Sequence, residues 1–210
     1  GTRPAPMFPR YHQLEVVQQI VPLVQEQGPG QRYLVEHEQG SGTSFTIAWL
    51  VRQLGGLQQA GIRIYDAFFI VSDRPEVELR LKSVIRNLAS VSTHLEEDSA
   101  LPAQIHDVIE RGVNVIFSQV AYLPLILDEI EKRQPGRRFA LVIDENPPDR
   151  STELTAEDEV NRAVAGRAPL SNTSFYVFAP SANETALQLF GEPFNDHGET
   201  RYRPFHLHTS

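Results

Sequence analysis

Residues 32–50 read RYLVEHEQGSGTSFTIAWL, and the architecture of the chain follows from this stretch. Residues 32–36 are rich in apolar and aromatic side chains and predict a short strand. Residues 44–58 place apolar side chains at the 3.6-residue spacing of a helix. Between the two lie Gly40 and Gly42, which interrupt both patterns. We therefore predict a strand, a glycine-containing loop and a helix, in that order.

The same alternation of strand and helix continues along the chain. A first helix is predicted over Tyr11–Gln27, where apolar side chains recur at helical spacing and Gly28 ends the pattern. The remaining predicted elements are strands at residues 67–71, 113–117, 139–143 and 174–178 and helices at residues 75–88, 120–132 and 153–165. Apolar strands separated by amphipathic helices are typical of a parallel sheet that helices cover on both faces. The predicted fold class is α/β, a three-layer sandwich with a mostly parallel sheet in a single domain over residues 1–210.

Composition excludes several classes of protein. The 210 residues include no cysteine, which excludes a disulfide framework and a thiolate metal site. The apolar runs are too short to cross a bilayer, and no basic and apolar leader opens the chain, so we expect a soluble cytoplasmic protein without a membrane partner. A net charge of −8 argues against nonspecific coating of nucleic acid. Lys82 and Lys132 are the only lysines, so any chemistry that needs a lysine must use one of them.

The loop after the first strand has the composition of a phosphate-binding loop. Such loops contain glycine so that successive backbone N–H groups can converge on an anion at a helix N-terminus. The nucleotide-binding version also has a lysine after its second glycine, and then a serine or threonine whose hydroxyl binds Mg²⁺. Here Thr43 stands at the lysine position, whereas Ser44 retains the hydroxyl. A tight turn with Ser44 as the helix N-cap is the alternative interpretation.

A pair of acidic residues, Asp144 and Glu145, directly follows the apolar strand predicted at residues 139–143. At a strand end, one such carboxylate can support a metal ion and the second can orient the attacking water in phosphoryl transfer. The alternative is a helix N-cap aspartate beside a solvated glutamate. A glycine loop after the first strand and an Asp-Glu pair after a later strand together indicate a nucleotide-binding domain.

Further short motifs extend this pattern over nearly the whole chain. In order they are FPRYHQL (8–14), GPGQRYL (28–34), GSG (40–42), IAWL (47–50), VSDR (71–74), PGRRFA (135–140), DE (144–145), DEVNR (158–162) and LQLFG (187–191). This series resembles the first motor lobe of the restriction subunit of type I restriction enzymes. That family belongs to the superfamily 2 helicase-like ATPases, which use two RecA-like lobes to translocate double-stranded DNA.

The resemblance implies ATP and Mg²⁺ as cofactors and a role for each matching residue. Residues 1–30 correspond to an adenine-motif segment with the first helix, and residues 31–210 correspond to a RecA-like P-loop NTPase lobe. The implied partners are a duplex DNA backbone, a second RecA-like lobe, and specificity and modification subunits. The implied roles are adenine recognition by Gln13, phosphate binding by Gly40, Ser41, Gly42, Thr43 and Ser44, Mg²⁺ binding by Ser44 and Asp144, water activation by Glu145, and contact with DNA by Arg74.

Three departures from the family pattern fall on its chemistry. Thr43 replaces the loop lysine, Asn146-Pro147 stands where the family has Ala-His, and APSA at residues 179–182 replaces a Thr-Ala-Thr-Pro coupling motif. A threonine cannot neutralise developing charge, and loss of one preorganised electrostatic partner typically slows a reaction by about 10²–10³-fold. We therefore expect impaired hydrolysis and an inactive chain when it is alone. The alternative is a noncatalytic module that binds nucleotide, DNA or another protein.

Overall fold

A computed structural model describes residues 11–38, 41–88, 104–145 and 156–207 of the chain. Ten strands lie within this part: β1 (Arg32–His37), β2 (Gln58–Gln59), β3 (Ile62–Arg63), β4 (Ala67–Val71), β5 (Val115–Ser118), β6 (Phe139–Asp144), β7 (Thr173–Ala179), β8 (Glu192–Asp196), β9 (Glu199–Arg203) and β10 (Phe205–Leu207). Six of them form one sheet in the order β10-β1-β7-β6-β4-β5, and every neighbouring pair is parallel. The short β2-β3 and β8-β9 hairpins lie outside this sheet.

Helices cover both faces of the six-stranded sheet. They are α1 (Tyr11–Gln27), α2 (Thr43–Gly56), α3 (Pro75–Leu88), α4 (Ile105–Glu110), α5 (Leu123–Arg133), α6 (Ala156–Ala165) and α7 (Glu184–Phe190). Buried side chains of α1, α2 and α3 pack on one face, and those of α4 to α7 pack on the other. Strands β4, β6 and β7 are buried along their whole length, as expected for strands covered on both faces. The predicted α/β three-layer fold is confirmed.

The predicted elements agree with the structure except at a few places. The helix predicted over residues 120–132 begins instead as a 3-10 turn at Val120–Tyr122, and α5 follows it with Pro124 in its first turn. The short helices α4 and α7 and the β8-β9 hairpin were not predicted, because they are brief or carry mixed polar sequence. Residues 153–155 of the helix predicted over residues 153–165 lie outside the described residues. Within the described part, no helix combines the length and apolar character needed to span a bilayer.

Buried tyrosines join the sheet to the chain segment that precedes β4. The Tyr65 hydroxyl lies 2.7 Å from the Tyr176 hydroxyl and donates to Ser174 Oγ at 2.8 Å. Tyr33 of β1 stacks on Tyr176 of β7, with ring centroids 5.0 Å apart. Burial raises the pKa of Tyr176 well above its ordinary value. The stacked tyrosines link β1 to β7, and because β1, β7 and β6 are parallel, their carboxyl ends lie at one edge of the sheet.

Candidate functional site

Ser41 and Gly42, the described end of the loop after β1, lead directly into α2. The Ser41 N–H donates to Glu38 O at 3.1 Å, and Gly42 takes a left-handed conformation with φ +82°. Helix α2 begins at Thr43 with Gly42 as its N-cap, and no side chain caps it. Ser44 therefore lies within the first helical turn, and its interpretation as the N-cap is wrong. Gly40 lies outside the described residues.

Gln13 is the residue of α1 that contacts this loop. Its Nε2 donates to the backbone oxygens of both Ser41 and Gly42, at 3.2 Å each, and the residue is 5% exposed. A Cβ atom at Gly42 would collide with Nε2 of Gln13, so the close approach requires glycine there. The structure thus brings the adenine-motif residue to the predicted phosphate loop. Adenine recognition by Gln13 stays a prediction.

Asp144 is engaged by an arginine. Arg74 follows β4 and Asp144 ends the neighbouring β6, and Arg74 Nη2 lies 2.6 Å from Asp144 Oδ2. The Asp144 side chain is 1% exposed, whereas that of Arg74 is 35% exposed. Arg74 was predicted only as a contact for DNA, and that role stays a prediction. The structure adds a contact that the sequence did not predict: the Arg74 guanidinium lies on Asp144, the carboxylate expected to support Mg²⁺.

The turn that carries Arg74 is held at two points. The Arg74 N–H donates to Ser72 Oγ at 3.3 Å, which closes the turn after β4. Asp73 Oδ1 accepts a hydrogen bond from the Val120 N–H at 2.9 Å, which joins the end of β4 to the chain after β5. The Arg74 backbone is therefore fixed where its side chain can reach Asp144.

Glu145 lies inside the protein. Its N–H donates to Phe178 O of β7 at 2.8 Å, so the backbone extends the sheet by one more residue, and Glu145 is 2% exposed. The interpretation of Glu145 as a solvated residue is wrong for this reason. Its predicted role in water activation stays a prediction.

His37 also belongs to the site, although the sequence analysis assigned it no role. It ends β1 and is buried, and its Nε2 makes no hydrogen bond within the described residues. Burial is the main cause that lowers the pKa of His37; Asp144 acts to raise this pKa and Arg74 to lower it. A histidine directly before the glycine loop was the sequence signal that could have identified it.

The two lysines form ion pairs with acidic residues of their own helices. Lys82 Nζ lies 2.6 Å from Glu78 and 5.0 Å from the ring centroid of Phe117. Lys132 Nζ lies 3.2 Å from Asp128 within α5. The positive charge beside Asp144 therefore belongs to an arginine.

The segment at residues 179–182 is bound to β1. The Ala182 N–H donates to Glu36 Oε2 at 3.1 Å. One residue later, Asn183 caps α7, because its Oδ1 accepts from the Ala186 N–H at 2.9 Å. The segment is thus fixed between the sheet and a capped helix.

Solved structures share this architecture. The helicase domain of Hef from Pyrococcus furiosus aligns with 86% of this chain at a TM-score of 0.52 and 12% identity. The fold is that of a RecA-like helicase lobe. The DEAD-box helicase Mss116, bound to ssRNA and UDP-BeF, aligns with 95% of this chain at a TM-score of 0.51 and 12% identity. The chain spans 35% and 40% of those two proteins, respectively. No protein-family model and no curated protein sequence matches the chain.

The site fits a phosphate group better than it fits a metal ion. Thr43 and Ser44 open α2, so their N–H groups have no intrahelical acceptor and can serve an anion. Mg²⁺ needs oxygen ligands at about 2.0–2.1 Å in a near-octahedral shell. The Asp144 oxygen that would contribute to this shell already accepts from Arg74. As arranged, the residues do not fit Mg²⁺, because the carboxylate expected to bind it is engaged by a guanidinium.

Proposed function

We propose that this chain is the nucleotide-binding motor lobe of a duplex-DNA translocase similar to the type I restriction subunit, with ATP hydrolysis impaired. The observation that carries the proposal is the pairing of Asp144 with Arg74 at the end of β6, beside a loop that has Thr43 in place of lysine. The lobe then acts as a cytoplasmic module that binds nucleotide, and a second RecA-like lobe and subunits for specificity and modification are its proposed partners.

Phosphate binding rests on the start of α2. The left-handed Gly42 turns the chain so that the helix begins at Thr43, and a helix N-terminus carries about half a positive elementary charge. Gln13 holds the carbonyl oxygens of Ser41 and Gly42, which orients the peptide groups of the loop. This arrangement favours binding of a phosphate without a loop lysine.

The proposal of impaired hydrolysis rests on two positive charges that the site lacks, that of a loop lysine and that of a metal ion. A threonine hydroxyl at position 43 can donate a hydrogen bond to a phosphate, but it cannot offset negative charge that develops in the transition state. A metal ion that would share this charge needs Asp144, which Arg74 engages. Glu145 alone can orient a water molecule, but it cannot stabilise the phosphoryl group.

The test of hydrolysis is phosphate release from ATP by the purified chain, measured with and without duplex DNA. We expect the wild-type rate to equal that of Glu145→Gln under both conditions. A DNA-stimulated rate above that of Glu145→Gln contradicts impaired hydrolysis.

The test of nucleotide binding is calorimetry with ATP, for which we expect a Kd of about 0.1–1 mM. Thr43→Lys should tighten binding by about tenfold, because it adds a cation at the loop. Gln53→Lys, which adds the same charge farther along α2, is the matched control and should leave binding unchanged. Equal affinities for wild type and Thr43→Lys would contradict a phosphate site at this loop.

The DNA partner needs a separate measurement. With a net charge of −8, we expect weak binding of duplex DNA by this lobe, and binding should weaken further as salt rises. Titrations at two salt concentrations measure both properties. Tight, salt-insensitive binding would contradict a backbone contact.

A further inference from the structure

We propose that Arg74 is the resident cation of the candidate nucleotide site: its guanidinium takes the place at Asp144 that a divalent metal ion would occupy, so the site binds phosphate without a metal. The nucleotide part of this inference rests on the proposed function. The metal part rests only on the Arg74–Asp144 pair and can be tested without any nucleotide.

The geometry of the pair supports exclusion of a metal. Arg74 Nη2 lies 2.6 Å from Asp144 Oδ2, which is a short charge-assisted hydrogen bond. The Asp144 side chain is almost fully buried, and the partly exposed Arg74 lies on its solvent side. A metal ion bound to the same carboxylate would lie within a few ångströms of the guanidinium, and the two cations would repel each other strongly where water is scarce.

Among the described residues, Arg74 is the cation that forms an ion pair with this carboxylate. His37 is buried, and its lowered pKa keeps the imidazole neutral at pH 7. Lys82 and Lys132 pair with acids of their own helices. Asp144 Oδ1 is buried and makes no hydrogen bond within the described residues. The carboxylate is thus compensated through a single oxygen, Oδ2, and a metal that bound at Oδ2 would have to displace Arg74.

Arginine is chemically suited to act as a permanent cation for phosphate. Its guanidinium stays charged at every physiological pH and carries five N–H donors in a planar fork. One edge of this fork can hold a carboxylate while another donates to a phosphate oxygen. Mg²⁺ would instead need a carboxylate here, with waters and phosphate oxygens completing its shell, and Asp144 already accepts from Arg74. Phosphate affinity should therefore be insensitive to magnesium.

The metal part is tested by NMR with Mn²⁺ as the probe, because the paramagnetic ion broadens the amide signals of nearby residues. We expect no selective broadening at Asp144 and Glu145 in the wild-type chain. Arg74→Ala should increase the apparent Mn²⁺ affinity at these amides by at least about tenfold, since it removes a cation and opens space at the carboxylate. Arg74→Ala with Asp144→Asn should abolish this gain.

The matched control removes an arginine from an exposed ion pair far along the chain from Asp144. Arg203 Nε lies 2.9 Å from Glu192 Oε2 on the exposed β8-β9 hairpin, and Arg203→Ala leaves Glu192 without this partner. This variant should add no Mn²⁺ binding at Asp144. Selective broadening of Asp144 in the wild-type chain overturns the proposal, even if Arg74→Ala does not fold. Unchanged Mn²⁺ affinity in folded Arg74→Ala also overturns it.

The nucleotide part is tested by ATP calorimetry in Mg²⁺ and in EDTA. We expect the two wild-type affinities to agree within about twofold, and Arg74→Ala to bind more weakly in EDTA and to gain affinity from Mg²⁺. A wild-type affinity that rises tenfold or more with Mg²⁺, which corresponds to about 1.4 kcal/mol, overturns the inference. If wild type binds no ATP in either buffer, the proposed nucleotide role fails, and the Mn²⁺ result still decides whether Arg74 excludes a metal.

Discussion

Replacing Arg74 by methionine should lower the free energy of unfolding by about 2–3 kcal/mol at pH 7. Methionine keeps an unbranched side chain over Asp144, so the carboxylate stays shielded from water but loses the guanidinium 2.6 Å away. Removing one partner of a buried ion pair typically costs about 3–5 kcal/mol, because the remaining charge is buried and unpaired. The 35% exposure of Arg74 reduces the expected loss, since water already screens part of the interaction.

The assay is urea unfolding followed by far-ultraviolet circular dichroism. Arg74→Met should move the midpoint to lower urea without changing the slope. In a double-mutant cycle with Asp144→Asn, the two losses should be non-additive by at least about 1 kcal/mol, because each variant removes the same interaction. Arg203→Met removes the exposed pair with Glu192 and should cost less than about 1 kcal/mol. A loss in Arg74→Met no larger than that in Arg203→Met, or an additive cycle, would refute the reasoning.

Three further predictions concern the loop and buried titratable groups. Gly42→Ala should lower the free energy of unfolding by about 1–2 kcal/mol, because alanine disfavours the positive φ and its Cβ collides with Gln13. Urea unfolding measures this loss, and an unchanged midpoint contradicts it. Burial raises the pKa of Tyr176 and of Tyr65, so the stability that they contribute is present below pH 10 and lost as pH rises above it; Tyr176→Phe should flatten this loss above about pH 10 in urea titrations. Burial lowers the pKa of His37, so the stability that the neutral imidazole contributes is present above about pH 6.5 and lost as pH falls below it. A loss of stability in acid that is equally steep in His37→Gln would contradict this.

The sequence could predict the fold because its strands and helices differ sharply in pattern. Strands β4 and β6 are continuous apolar runs, and α1 repeats apolar residues at helical spacing. The glycine loop and the Asp-Glu pair were also visible, because each stands at the end of such a run. The hairpin at residues 192–203 could not be predicted, since its strands are largely exposed and lack the period of a buried strand.

The Arg74–Asp144 pair could not be predicted, because the order of strands in the sheet differs from their order in the chain. Arg74 and Asp144 are 70 residues apart in sequence. They become neighbours because β4 pairs with β6 on one side and leaves β5 at the edge. The Gln13 contact with the loop depends similarly on the packing of α1 against α2. Individual candidate residues could therefore be proposed from sequence, whereas the contacts between them could not be predicted.

The attachment of residues 179–182 to the sheet has a mechanical consequence. The Ala182 N–H is held by Glu36 of β1, and Asn183 begins α7 with a side-chain cap. Since these two contacts lie on adjacent residues, Ala182 can shift relative to β1 only if its hydrogen bond to Glu36 breaks. While that hydrogen bond holds, the start of α7 and the strand β1 are linked directly, and a displacement of one relative to the other has to break it.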